Sequence, residues 1–328
     1  MIRRARSLAA LLTLTAAIAA CGSAPAPAGG GTDAGADPTP ITVGTSPTLS
    51  NASLYQADGG GYFTDRRLTA TISPVQSGAA AVPLLLNGQL QFSAADPLAA
   101  IVAISKNVPI TIVASGNVAT GDAATDSTAI LVAGDGPVAT PADLAGRTVA
   151  VNALNGLSQV TAMKSIDAHG GDSAAVRWVE VPLPQMVEAV SRGQVDAAVV
   201  NEPFSTTGQE AGLRKVSAPF SEALPGVPQL VYIAAKPWAE QNPAVVQAFA
   251  EAITQANGYL AAHPEDVRTI GATSTETPPE ALAKIILPTF TDQPLDRGKL
   301  VELMDLMVQY RVLPAPIDLD GSITGSAS

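Results

Sequence analysis

The chain has 328 residues, with 18 basic and 29 acidic side chains and a net charge of −11. That balance argues against a nucleic-acid partner, which needs a basic face. Apolar residues at 47% against 14% charged can fill two sizeable cores, and a single cysteine leaves no intramolecular disulfide to hold them.

The first element is a leader. Arg3, Arg4 and Arg6 precede an uncharged, small or apolar run over 8–20, which closes on Ala19, Ala20 and Cys21. A basic start, a short apolar stretch and small residues before the cut describe an export signal over 1–20. The run is too short to cross a ~30 Å hydrocarbon layer as a helix. The pattern resembles a bacterial lipobox, which implies that Cys21 carries lipid and anchors the protein on the extracytoplasmic face of the cell membrane. Residues 21–40 are rich in Gly, Pro, Ala and Thr without a large apolar side chain, so they are expected to form a flexible tether with a reach of roughly 25 Å. The tail, 314–328, is expected to be disordered.

Between these ends, short runs rich in Val, Ile, Leu and Ala predict strands at 41–43, 68–72, 90–92, 110–114, 129–132, 148–151, 176–181, 197–200 and 230–234. Helical patterns fall at 53–60, 78–86, 158–169 and 185–191. Alternation of strand and helix implies parallel sheets covered by helices. Beyond Pro237 the pattern is purely helical, at 243–262, 264–270, 279–287 and 295–310. Proline at or near the start of each suits the first turn.

The chain also repeats itself loosely. A helical stretch from Ser77 runs into Asn87 and Gly88, a short strand and Asp96-Pro97; another from Gln185 runs into Arg192 and Gly193, a short strand and Glu202-Pro203. Glycine after a helix end tolerates positive φ. Two lobes built on one plan are the economical reading.

An ordered set of segments resembles the periplasmic binding proteins for nitrate, sulfonates, taurine and thiamine-pyrimidine precursors that feed ABC importers. The segments are LYQA at 54–57, GYF at 61–63, PVQSG at 74–78, LNGQ at 86–89, DLAGRTVAVN at 143–152, GQVDAA at 193–198 and EPF at 202–204. The resemblance spans about 41–313. It implies an α/β, two-lobed fold of periplasmic binding protein type II with a two-segment hinge, each lobe a sheet flanked by helices. Lobe one would be 41–128 plus 230–313, and lobe two 129–229. It further implies a small-molecule ligand, an ABC permease with its ATPase as partner, no cofactor, and a monomer. The loop ALNGLS at 153–158 lacks the Ser-Ser-His type of run of sulfonate-binding relatives, which weighs against a sulfonate.

In open α/β sheets, ligands sit beyond the carboxyl ends of strands. The loops that qualify offer Thr45, Ser46, Thr48, Ser50 and Asn51; Gln76 and Ser77; Asp96; Asn152, Asn155 and Ser158; and Asn201, Glu202 and Phe204. Ser77, Asn155 and Ser158 open helices, whose N-termini can seat an anion or simply be capped. Asp96 and Glu202 stand before proline in extended loops, either accepting ligand N–H groups from opposite lobes or capping a helix. No arginine occurs in these loops. The expected ligand is therefore an N–H-rich heterocycle such as a pyrimidine, and the alternatives are a nitrate-, sulfonate- or taurine-type anion, or a sensing lipoprotein that signals to a membrane receptor. Tyr55 and Phe204 are the candidate stacking surfaces. His169 and His263 end helices without companions at metal-ligand spacing, so no metal is expected. A yeast enzyme that makes the thiamine pyrimidine shares this family's fold, but it would need a histidine and a cysteine cluster that these loops lack. No enzymatic activity is expected.

Overall fold

A computed structural model describes residues 37–275 and 277–324. The expected leader, Cys21 and most of the tether lie outside the described residues, as do 325–328. The body from Pro38 onward is a single compact unit.

Two five-stranded sheets organise it. Sheet one contains β1 (Thr39–Thr45), β2 (Leu68–Pro74), β3 (Phe92–Ala95), β4 (Ile110–Ser115) and β10 (Val231–Ala235), in the order β2-β1-β3-β10-β4. Sheet two contains β5 (Thr128–Ala133), β6 (Thr148–Val151), β7 (Arg177–Glu180), β8 (Ala197–Asn201) and β9 (Leu213–Ser217), in the order β7-β6-β8-β5-β9. The two orders are the same plan. The sheets are mixed rather than parallel throughout: β10 runs antiparallel to β3 and β4, and β5 antiparallel to β8 and β9. Each antiparallel strand is the first in its sheet after the chain crosses from the other lobe.

The crossings, between β4 and β5 and between β9 and β10, lie side by side. Gly116 N donates to Leu230 O at 2.8 Å, Gln229 N to Asn117 O at 2.9 Å and Ala119 N to Val227 O at 2.8 Å. This two-segment ladder is the hinge of a periplasmic-binding-protein fold.

The internal repeat has a structural counterpart. α2 (Gly78–Leu86) leads into β3, and α5 (Leu183–Ser191) leads into β8. The stops at Gly88 and Gly193 adopt φ of +80° and +65°, which a side chain would strain.

Packing follows from composition. Four of the aromatics gather on one face of sheet one. α1 (Ala52–Gly59) and α9 (Pro243–Ala262) cover that face, and Phe249 of α9 stacks on Phe92 at 3.8 Å and on Phe63 at 5.5 Å, with Tyr232 edge-on at 5.4 Å. All four are buried. The other face packs α3 (Pro97–Ser105) and α12 (Arg297–Gln309) into a cluster that also takes Leu157 and Val160 of α4 (Leu157–Ala168). The lobes thus share apolar contacts on the α3–α4–α12 side.

Several elements differ from expectation. α3 is apolar all round and shows no helical period. β9 carries Arg214 and Lys215 in a sheet edge, which hides it from an apolar-run search. α7 (Pro219–Ala223), α8 (Lys236–Gln241) and α10 (Asp266–Ser274) are short, and the helix expected over 279–287 stops after one turn as α11 (Pro279–Leu282). The tail expected to be disordered from 314 is held through Thr324. Leu319 is buried, Ile112 N donates to Ser322 O and Thr324 N to Ile112 O, so 322–324 cover the outer edge of β4. Three apolar side chains, Ile317, Leu319 and Ile323, pack this stretch against the core.

Candidate functional site

The carboxyl ends of β1 and β3 in sheet one face those of β6 and β8 in sheet two across a cleft. Its inner chamber, about 140 Å³, is lined by Thr48, Ser50 and Asp96 from lobe one, by Ser127, Thr128, Asn152, Ser158, Asn201 and Glu202 from lobe two or its border, and by Gln229 of the hinge. Leu49, Leu157, Phe220 and Pro288 complete the wall. The lining holds two carboxylates and no arginine, lysine or histidine. An outer chamber of about 590 Å³ shares Thr48, Leu49, Asn201 and Glu202 and adds Leu183, Phe204, Pro278 and Lys284. A larger groove of about 1080 Å³ runs along α9. It lies away from the strand ends and takes residues from one lobe only, so the cleft is the better site.

Each side chain is set by its local structure. Asp96 ends β3 and caps α3: its Oδ1 accepts the N–H of Leu98 at 2.8 Å and of Ala99 at 3.3 Å. The N–H of Leu157, the first residue of α4 in the other lobe, also donates to it. Burial pushes the Asp96 carboxyl above its usual value, and the three N–H groups oppose that rise. Asp96 is therefore a cap shared between lobes.

Glu202 is engaged as fully. Its Oε1 accepts Thr206 Oγ1 at 2.8 Å and Ile286 N at 3.2 Å, and its Oε2 accepts Thr206 N at 3.1 Å. Thr206 belongs to α6 (Phe204–Glu210) of lobe two, and Ile286 to the segment after α11 in lobe one. Burial raises the Glu202 carboxyl too, against these hydrogen bonds and the charge of Lys215. At the other end of α6, Glu210 pairs with Lys284 Nζ at 2.6 Å. Both ends of α6 thus hold the same lobe-one segment. On the opposite side, Tyr310 Oη donates to Asp167 Oδ2 at 2.8 Å, joining the end of α12 to α4.

Asn201 ends β8, and its buried Oδ1 has no hydrogen-bond partner. Gln229 Oε1 accepts Asn117 Nδ2 at 2.6 Å, tying the chamber wall to the hinge. α4 begins after Gly156, which offers no side-chain cap, so the first turn at Ser158 opens on the chamber.

Of the sequence-predicted residues, the chamber collects Thr48, Ser50, Asp96, Asn152, Ser158, Asn201 and Glu202, and Phe204 lines its outer extension. The others lie elsewhere. Thr45 is buried and its Oγ1 donates to Ser46 O at 3.3 Å. Asn51 is fully buried; its Nδ2 donates to Ser46 O and Thr48 Oγ1, both at 3.0 Å, and so shapes the loop that presents Thr48. Tyr55 sits on α1, outside the lining. Gln76 is exposed, and Ser77 caps α2 through Ala80 N at 3.2 Å. Asn155 takes a left-handed turn, φ +57°, and its N–H donates to Gln159 Oε1 at 2.6 Å. Sequence reasoning missed Ser127, Thr128 and Gln229 because Ser127 and Gln229 lie on the crossings and Thr128 opens the antiparallel strand β5, so none follows a parallel strand. The expected lobe boundaries at 128/129 and 229/230 were the available signal.

Comparison with known proteins places the fold and the family. The family model described as NMT1/THI5 like matches residues 49–267. The taurine-binding periplasmic protein of Escherichia coli K12 is 28% identical over 233 residues, covering 69% of this chain and 68% of that one. The periplasmic aliphatic sulphonate-binding protein SsuA of Escherichia coli superposes with a TM-score of 0.73 at 19% identity, over 88% of this chain and 98% of that one. The alkanesulfonate-binding protein SsuA of Xanthomonas axonopodis pv. citri, bound to MOPS, gives a TM-score of 0.71 at 19% identity, over 88% and 99%. The chain has the fold of the periplasmic binding proteins, and it belongs to the NMT1/THI5-like family.

Proposed function

We propose that the protein captures a small polar solute between its two lobes and delivers it to an ABC importer, without covalent chemistry. The observation that carries this reading is the inner chamber, whose hydroxyls and amides come from both lobes and the hinge. Such a lining contacts a ligand fully only when the lobes are together, so binding favours closure. Thr48, Asn152, Ser158, Asn201 and Gln229 are the proposed direct contacts, with Phe204 flanking the entrance. Asp96 is a structural cap in this reading, and Glu202 both a latch and an acceptor. Cys21 is the proposed lipid anchor that keeps the protein beside its permease.

The ligand is an N–H-bearing heterocycle, for example a pyrimidine. Two features support this: the inner lining has no cation, and Asn201 Oδ1 and Glu202 are acceptors. A second reading, a taurine-like or sulfonate anion, is favoured by the relatives above and by the first turn of α4 at the chamber, where Asp96 takes the N–H of Leu157 alone. A thermal-shift screen of the purified protein with thiamine pyrimidines, purines, nitrate, taurine and alkanesulfonates separates them. Ligand at about 100 times its dissociation constant adds about 2.7 kcal/mol, a shift of several degrees. Stabilisation by a heterocycle supports the first reading. Stabilisation by small anions alone overturns it in favour of the second, and no response from any of these solutes counts against both.

A further inference from the structure

Sheet edges expose unpaired N–H and C=O groups and are normally protected by cover, charge or irregularity. Three of the four edges here are. β4 is covered by 322–324. β7 is short and bears Arg177 and Glu180 at its ends. β9 carries Arg214 and Lys215 and pairs with β5 through a register shift. The fourth edge, β2, has seven residues, an unbroken register with β1 and, among the described residues, no second neighbouring strand. It also lacks charge: no charged residue occurs from Leu68 to Ala95, in a chain of net charge −11.

The open groups can be assigned. Arg67 O accepts Thr39 N at 2.8 Å and Val75 N donates to Thr45 O at 3.0 Å, so both point at β1. Alternation along the strand turns Thr69, Thr71 and Ser73 the same way and turns Ala70 and Ile72 to the open side. Leu68 N, on the open side, is already taken by Phe63 O. Pro74 has no N–H. The open edge therefore offers two N–H groups, of Ala70 and Ile72, and four C=O groups, of Leu68, Ala70, Ile72 and Pro74, centred on Thr71.

We propose that two copies of the chain pair through β2, antiparallel, about a two-fold axis at Thr71. In that register Ala70 faces Ile72 of the second copy and the reverse, so the N–H and C=O groups of both residues find partners in two hydrogen-bonded pairs, and the C=O groups of Leu68 and Pro74 stay at the ends of the seam. The half-buried Ala70 and Ile72 side chains meet on one face. On the other, Thr71 faces its own copy and Thr69 faces Ser73; Thr–Thr and Thr–Ser are favourable cross-strand pairs. The arrangement is isologous and closed, as two-fold dimers are. A second copy is favoured over other partners because two acidic bodies meet with least repulsion through an uncharged face, and because the edge is complementary to itself. This departs from the monomer expected from the resemblance.

The test uses the full chain in its cell envelope. Thr71→Cys places two thiols across a non-hydrogen-bonded pair, where Cα atoms lie about 4.5 Å apart, within disulfide reach. Oxidation and non-reducing electrophoresis are expected to give a dimer for Thr71→Cys. The unaltered chain, which retains Cys21, and Lys106→Cys, exposed on another face, are expected to give none. In sedimentation velocity the purified chain is expected to dimerise with concentration. Thr71→Lys, which opposes like charges at an exposed position, is expected to weaken dimerisation roughly tenfold or more. Cross-linking of Thr71→Cys no faster than Lys106→Cys, cross-linking to a different protein, or a dimer indifferent to Thr71→Lys would each overturn the proposal.

Discussion

Replacing Glu202 by Gln removes one acceptor from a carboxylate that serves two lobes. The carboxylate accepts three hydrogen bonds, from Thr206 Oγ1, Thr206 N and Ile286 N. Gln keeps one carbonyl oxygen. If that oxygen stays with Ile286 N, the new amide faces Thr206 N, donor against donor, and α6 loses its cap. If it turns to Thr206 N, Ile286 N loses its partner. Either way one hydrogen bond to a charged group is lost, worth about 1.5–3 kcal/mol. Relief from burying a charge offsets part of this, so the net loss at neutral pH is about 1–2 kcal/mol. The pH dependence gives the sign. The Glu202 carboxyl titrates above its ordinary 4.5 in the folded protein because burial outweighs its hydrogen bonds. A raised carboxyl contributes stability below the ordinary value and loses it as pH rises through the folded value. Gln does not titrate there, so the stability gap between wild type and Glu202→Gln should be widest below pH 4.5 and narrow as pH rises above it. Urea unfolding of both proteins across that range measures the gap. A gap that widens with rising pH would refute the assignment of burial as the dominant influence on Glu202, and a gap of zero throughout would refute the cap-and-latch geometry.

Other substitutions probe the frame. Gly78→Ala would place a methyl 2.5 Å from Ala95 Cβ and 2.6 Å from its Cα, where only backbone movement gives relief; a loss of about 1–3 kcal/mol in chemical unfolding is expected. Phe249→Ala empties the centre of the aromatic stack and should cost about 3–5 kcal/mol, read in the same assay, with little effect if the stack is incidental. A double-mutant cycle on Lys284 and Glu210, both roughly half exposed, should give a coupling of at most about 1 kcal/mol; a larger value would make this pair, not Glu202, the main latch. Cys21→Ala should move the protein from the membrane to the soluble fraction, and its retention would remove the lipobox reading.

Much of this was legible because it rests on local rules. The helix–glycine–strand unit was visible at Gly88 and Gly193, since only glycine tolerates that turn cheaply, and the unit located the two strands that end at Asp96 and Glu202. What those carboxylates do was not legible. A residue before proline reads as an extended loop whether its oxygens meet a ligand or the N–H groups of a helix, and here Leu98, Ala99, Leu157, Thr206 and Ile286 take them. Three of those partners lie next in sequence, but Leu157 and Ile286 arrive from the opposite lobe, and no spacing foretells them. The antiparallel entry of β5 and β10 was hidden for the same reason, because strand direction is set by where the chain comes from. α3 escaped notice because a helix with no polar face has no period to find.

The discontinuity of the first lobe orders events in time. β10 lies between β3 and β4, yet it is made more than a hundred residues after either. Until Ala235 has emerged from the ribosome, sheet one is a three-stranded remnant, with β4 unattached. Sheet two needs only a contiguous stretch ending at Ser217. During vectorial emergence the later-starting lobe is thus the first able to close its sheet, and it presents one wall of the cleft before the other exists. A chaperone or protease that meets the chain part-way would find lobe two complete and lobe one still open, waiting for a single central strand.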